Sequence, residues 1–208
     1  MKPIKDEYKT IKCATRAETK VLGSRFIGSV LPVSTKADVE QFLVKMRKEF
    51  WDATHNCFAY RLGTDGMQFR FNDDGEPAGS AGKPILGAID KFELTDIVVV
   101  VTRYFGGTKL GVGGLVRAYG DATEQVLSRA EQITKFVTKT IEATFPHAHI
   151  GNVMHVVSKM HTKIADTTYD EDVHATLEVR LSKVEELKSA LVNQTNGNIS
   201  FKRAAGDA

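Results

Sequence analysis

From Thr35 to Phe50 the apolar residues Val39, Phe42, Leu43, Met46 and Phe50 recur at the spacing of one helical face, and Thr35 with Asp38 supplies a capping-box start. The pattern predicts an amphipathic helix that buries one stripe. Arg25 to Val33 before it and Asn56 to Leu62 after it read as strands, so the chain begins as a β-α-β unit. Residues 72–82, Asn-Asp-Asp-Gly-Glu-Pro-Ala-Gly-Ser-Ala-Gly, follow neither period and predict a loop. Pro84 then suits the first position of a short helix to Asp90 that carries Ile85, Leu86 and Ile89. The unbroken β-branched run from Ile97 to Thr102 predicts a mid-sheet strand, because a strand covered on both faces need not alternate. A second glycine-rich loop, Gly106 to Gly114, leads into a helix marked by Leu115, Ala118, Tyr119, Ala122 and Val126 and ending near Ala130.

The character of the chain changes around Gln132 to Thr138, and a boundary after residue 134 divides it into domains of 1–134 and 135–208. The second part reads as a βαββαβ unit, the order of a ferredoxin-like sandwich. Phe136 to Phe145 is expected as a strand, and Ile150, Val153, Met154 and Val157 form a helical stripe. Lys163 to Tyr169 and Val173 to Leu181 make a hairpin about Asp170 and Glu171, with Val173, Ala175, Leu177, Val179 and Leu181 alternating against polar neighbours. Ser182 and Glu185 predict a capping box for a last helix, Asn196-Gly197 stops it, and Ile199 to Arg203 closes the sheet. The fold class is therefore α+β in two domains.

Composition narrows the function classes. Among 208 residues, 28 Lys and Arg stand against 26 Asp and Glu, a net charge of +2 that is too small to make the whole molecule a polyanion binder. Attraction to phosphate must then come from local clustering. The longest aliphatic run, Ile97 to Val101, is far short of the roughly 20 residues a bilayer span needs, and Met1 to Thr10 has no apolar stretch of a secretory signal. A cytoplasmic protein without membrane contact is expected, with Cys13 and Cys57 reduced.

Local clustering is found from Arg103 to Gly120. Glycines let backbone N–H groups face one concavity, a helix N-terminus follows, and Arg103, Lys109 and Arg117 occur with no acidic residue among them, which favours an anion. The same glycines would also serve close helix-to-sheet packing, with Arg117 pairing to Asp121 one turn on. Spacing excludes the nucleotide-binding loops: Val112 and Gly113 stand where a Walker loop needs Lys and Ser or Thr, and the glycine triplet of a dinucleotide site ends at Val116. Asp73, Asp74 and Glu76 can hold a hard cation such as Mg²⁺, or they can serve turns and caps. His55 and Cys57 alternate onto one strand face as a possible base and thiol, and His147, His149, His155 and His161 lack the spacing of a zinc site. Tyr104 and Phe105 suit stacking on bases or packing in a core.

Asp73-Asp-Gly-Glu-Pro-Ala-Gly-Ser-Ala-Gly-Lys-Pro84 and Arg103-Tyr-Phe-Gly-Gly to Arg117-Ala-Tyr-Gly120, with Ala53-Thr-His-Asn-Cys-Phe-Ala-Tyr60 and Ser24-Arg-Phe-Ile27, resemble the YigZ/IMPACT family over roughly Thr19 to Arg129. The resemblance implies an N-terminal domain related to domain IV of elongation factor G, with a left-handed crossover, and a ferredoxin-like C-terminal domain similar to its domain V. It also implies kinship with eukaryotic regulators of translation that bind proteins of the general amino-acid control pathway. The family offers no agreed catalytic residues, so only its two signature loops carry over.

The resulting expectation is a non-enzymatic, translation-related protein that engages RNA, the ribosome or a translation factor without a cofactor. The expected binding residues are Arg103, Tyr104, Gly106, Gly107, Lys109, Gly111, Gly113, Gly114, Arg117 and Tyr119, joined by Asp74, Glu76, Gly79 and Lys83. The alternative is a metal-assisted hydrolase or phosphoryl-handling enzyme built on Asp73, Asp74 and Glu76. A third possibility is a protein-interaction regulator whose partner needs no phosphate.

Overall fold

The computed structural model describes residues 6–202. They form two units, one spanning Tyr8–Lys135 and one in which the residues up to Glu7 join those from Phe136 onward.

The first unit contains β1 (Glu7–Ile11), β2 (Thr15–Val21), β3 (Ser24–Pro32), α1 (Lys36–Glu49), β4 (His55–Leu62), β5 (Gln68–Asn72), α2 (Gly82–Lys91), β6 (Ile97–Tyr104), α3 (Gly111–Arg129) and β7 (Gln132–Phe136). Five strands make one sheet in the order β2-β3-β6-β4-β5, and β1 pairs with β7 in a separate ribbon. β3 and β4, the strands of the expected β-α-β unit, do not pair with each other. Each pairs antiparallel with β6, which lies between them.

Parity along β6 explains its unbroken apolar run. Val98 and Val100 face the core under α1, with Phe42, Leu43, Met46, Phe58 and Tyr60, whereas Ile97, Val99 and Val101 face the core under α2 and α3. A strand covered on both faces has no polar side to show. The capping box of α1 forms as expected: Asp38 N–H donates to Thr35 Oγ1 at 3.1 Å, and Thr35 N–H donates to Asp38 Oδ2 at 2.9 Å. Such a cap contributes about 1 kcal/mol.

The second unit carries β8 (Thr138–Phe145), α4 (Ile150–Lys159), β9 (Lys163–Tyr169), β10 (Val173–Arg180), α5 (Val184–Gln194) and β11 (Ser200–Phe201). The sheet order β11-β8-β10-β9 is that of a ferredoxin-like sandwich. Arg203, expected in the closing strand, lies outside the described residues.

Three local expectations are corrected here. The strand expected from Phe136 breaks at Val137, whose N–H donates to Asp6 O at 2.7 Å and whose carbonyl accepts from Leu181 N–H at 2.8 Å. Met154 turns outward at 46% exposure, and Val156 takes its place in the core beside Val153 and Val157. Ser182 does not cap α5: a 3-10 turn over Leu181–Lys183 precedes the helix, and the Ser182 N–H is satisfied by the Asp6 carboxylate at 2.8 Å. The helix ends as expected, with Asn196 and Gly197 at positive φ and the Gly197 N–H donating to Val192 O.

Candidate functional site

The two signature loops leave the same end of the five-stranded sheet. Residues 73–81 follow β5, residues 105–110 follow β6, and between them the start of β4 brings His55 opposite Arg103 in register. Side chains opposite each other in an antiparallel pair share a face, so His55 and Arg103 continue the face of Cys57 and Val101. That face meets Tyr119 of α3.

What gathers there is a buried polar centre. Glu76 Oε1 accepts from Arg103 Nη1 at 2.7 Å and from the Tyr119 hydroxyl at 2.8 Å, and His55 Nε2 lies 3.8 Å away. The Arg103 and Glu76 side chains are 6% and 4% exposed. Arg103 Nη2 donates to Ser24 Oγ at 3.4 Å, its guanidinium carbon lies 5.6 and 5.5 Å from the ring centroids of Phe26 and Phe105, and its buried Nε has no partner among the described residues. The Cys57 thiol donates to Asp73 O at 3.0 Å and lies 3.4 Å from the Tyr119 hydroxyl. Burial, helped by the charges of Glu76, Asp74 and Asp73, pushes that thiol up to about 12. Burial likewise raises Tyr119, with the Cys57 and Glu76 charges adding to it. Both groups stay protonated and inert as nucleophiles near neutral pH.

The acidic loop is wound round its own carboxylates. Asp73 accepts from the backbone N–H groups of Gly79, Ala81 and Gly82 at 2.8 to 3.0 Å. Burial raises its carboxyl, but these three donors outweigh it and the net shift is downward. Asp74, at positive φ, accepts from Asn56 N–H at 2.6 Å, and its carbonyl lies 2.8 Å from His55 Nδ1. Asp73, Asp74 and Glu76 therefore do not converge on a cation position; each answers internal donors. Among the described residues no three His, Cys, Asp or Glu side chains are grouped for a metal, the four C-terminal histidines included.

The glycines divide into two kinds. A Cβ on Gly106 would meet the Gly23 carbonyl carbon at 1.9 Å, and one on Gly82 would meet the Asn72 backbone at 2.8 Å. These two are required by crossing backbones. At Gly107, Gly111 and Gly113 the same atom would meet nothing within 4 Å, and at Gly79 the space is also open. Gly114 would only press on the Leu110 side chain. The packing account thus holds for Gly106 and not for the glycines that lead into α3.

Of the expected binding residues, Arg103, Tyr119 and Glu76 come together in the interior, so Arg103 offers no free guanidinium to a phosphate and the expected role changes to holding the loops together. Tyr104 is half-buried: its hydroxyl donates to Asp52 at 2.8 Å and its ring lies under the Arg25 guanidinium. Lys83, Lys109 and Arg117 are exposed and make no ion pair among the described residues, so the Arg117–Asp121 pair does not form. Ser24 opens the Ser24-Arg-Phe-Ile27 motif and accepts from both Arg103 and the Gly106 N–H at 3.1 Å, a role no local pattern reports because these partners lie about eighty positions away.

The family model of the Impact N-terminal domain matches residues 22–127, and that of a domain of unknown function (DUF1949) matches residues 144–198. The chain is 34% identical over 195 residues to the IMPACT family member YvyE of Bacillus subtilis, covering 94% of this chain and 90% of that one. It is 33% identical over 182 residues to the IMPACT family member YigZ of Escherichia coli, covering 86% and 88%. Protein IMPACT of Bos taurus is 36% identical over 93 residues, 42% of this chain and 29% of its own. A crystal structure of a hypothetical protein superposes with a TM-score of 0.71 at 27% identity, covering 98% of this chain and all of that one. On both its sequence and its two domains, the chain belongs to the IMPACT family.

Proposed function

We propose that this chain is a non-enzymatic, cytoplasmic binding protein of the translation apparatus, engaging RNA through the outer side of the signature loops. One observation carries the reading. Lys109 and Arg117 stand exposed, make no ion pair among the described residues and flank in sequence the first turn of α3, which holds no acidic residue and no side-chain cap. The N–H groups of that turn and the open backbone at Gly107, Gly111 and Gly113 add donors that a phosphate can approach closely.

The enzyme alternative loses support from the same geometry. Its candidate carboxylates are committed to Arg103, Tyr119 and backbone donors, and the thiol beside them is held protonated. The buried centre positions the loops.

RNA binding measured against salt tests the reading. Log K should fall linearly with log salt, and Lys109→Ala and Arg117→Ala should each reduce the slope by about one. Slopes unchanged by both substitutions remove RNA, and affinity capture after nuclease treatment then looks for a protein partner.

A further inference from the structure

Trp51, the only tryptophan in the chain, is 83% exposed in the turn between α1 and β4. A tryptophan left in water forgoes a large hydrophobic gain, and its open ring is a face on which a base can stack. Phe105, at 48% exposure, opens the second signature loop. The two segments are tied together: Tyr104 Oη donates to Asp52 Oδ1 at 2.8 Å, and Phe105 N–H donates to Thr54 Oγ1 at 3.1 Å. The inner side of Phe105 rests on the buried Arg103 guanidinium, which leaves its outer side for a ligand.

The charged residues near these rings in sequence are unequal in their pairing. Arg47 and Lys48, in the last turn of α1, are exposed and make no ion pair among the described residues, as is true of Lys109 and Arg117. The neighbouring acids are engaged: Glu49 pairs with Arg16 at 2.6 Å, and Asp52 accepts from Tyr104. Exposed rings with unpaired cations close by in sequence, Arg47 and Lys48 before Trp51 and Lys109 after Phe105, match a strand of bases and phosphates.

We infer that Trp51 and Phe105 are stacking platforms for unpaired bases, so that the partner of this surface is single-stranded RNA. The inference rests on the RNA reading above and names the form of RNA. Stacking is sequence-tolerant, because every base has a face, and a duplex, whose bases are already stacked, cannot supply it.

The full chain is titrated with an oligouridylate and with the duplex it forms with oligoadenylate, with Trp51 emission as the readout. The single strand should quench the emission and the duplex should not. Trp51→Ala and Phe105→Ala should each weaken single-strand binding about tenfold without changing the salt slope, and Trp51→Phe should restore most of it. Single-strand binding that leaves the emission unmoved and survives Trp51→Ala overturns the inference while the RNA reading stands. Equal binding of strand and duplex by wild type and Trp51→Ala does the same. Absence of binding to either form at low salt overturns both and leaves the rings to a protein partner.

Discussion

Arg103 Nη1 lies 2.7 Å from Glu76 Oε1, and the pair joins the two signature loops inside the first unit. An arginine that reads from sequence as a phosphate ligand is here the internal partner of a carboxylate 27 positions earlier. Removing one member strands the other charge in the interior, which costs about 3–5 kcal/mol, whereas a well-packed apolar pair avoids that cost. Glu76→Leu and Arg103→Met should therefore each lower stability by several kcal/mol, and the double variant should recover part of the loss. Urea unfolding followed by circular dichroism measures this; single variants within about 1 kcal/mol of wild type would show that the pair is not a support.

Gly106 is where the second loop crosses the turn at Gly23. With a Cβ placed 1.9 Å from the Gly23 carbonyl carbon, backbone and not side chain must yield. Gly106→Ala should destabilise the first unit by about 1–3 kcal/mol and weaken RNA binding together with it, because the loop that carries Lys109 moves. Gly113→Ala meets nothing and should leave stability within about 1 kcal/mol of wild type. Equal stabilities for the two variants would contradict the crossing.

These positions show what the sequence could disclose. Parity along Ile97–Tyr104 places Arg103 on the face of Val99 and Val101, and a strand covered on both faces leaves it no exposed side; residue type points outward and the strand's central place is the better guide. The helices and the ferredoxin-like order are legible because their apolar stripes are long, with a capping box to mark α1 and Asn196-Gly197 to mark the end of α5. β5 is not: Gln68–Asn72 is exposed at every position, so burial leaves no mark on its composition. The roles of Ser24, Gly23 and Asp6 depend on partners about 80 to 175 positions away, and no local period reports such a contact.

Cys57 supplies a test in alkali. Its thiol is raised from 9.0 to about 12 by burial, so the stability linked to its neutral form is fully present below about pH 9 and is lost as pH rises toward 12. Cys57→Ser, which stays neutral over that range, should lose less stability between pH 9 and 11 than wild type does. At neutral pH, alkylation of the folded chain should stop at one thiol, the exposed Cys13, and reach two only on unfolding. Two equally fast thiols in the native protein would refute the burial of Cys57.

In the second unit, Asp6 holds the 3-10 turn that leads into α5. Its carboxylate accepts from Arg180 Nε at 2.8 Å, Arg180 Nη2 at 2.7 Å and Ser182 N–H at 2.8 Å. The Arg180 bond, opposed by burial and aided by Ser182, holds the carboxyl well below the ordinary 3.8. A depressed carboxyl contributes stability that is present above its unfolded pKa and is lost as pH falls through the folded one. Asp6→Asn should thus speed hydrogen exchange at the amides of Ser182 to Leu187 at pH 7. Its urea midpoint should approach that of wild type as pH falls below about 3.8, where unfolded wild type takes up a proton at Asp6 that the variant cannot. Glu7, whose Oε2 lies 3.3 Å from Arg180 Nη2, retains part of the pairing, so the double change with Glu7→Gln should exceed the single one. Exchange at Ser182 to Leu187 that Asp6→Asn leaves unchanged would mean that the 3-10 turn holds the start of α5 without the carboxylate.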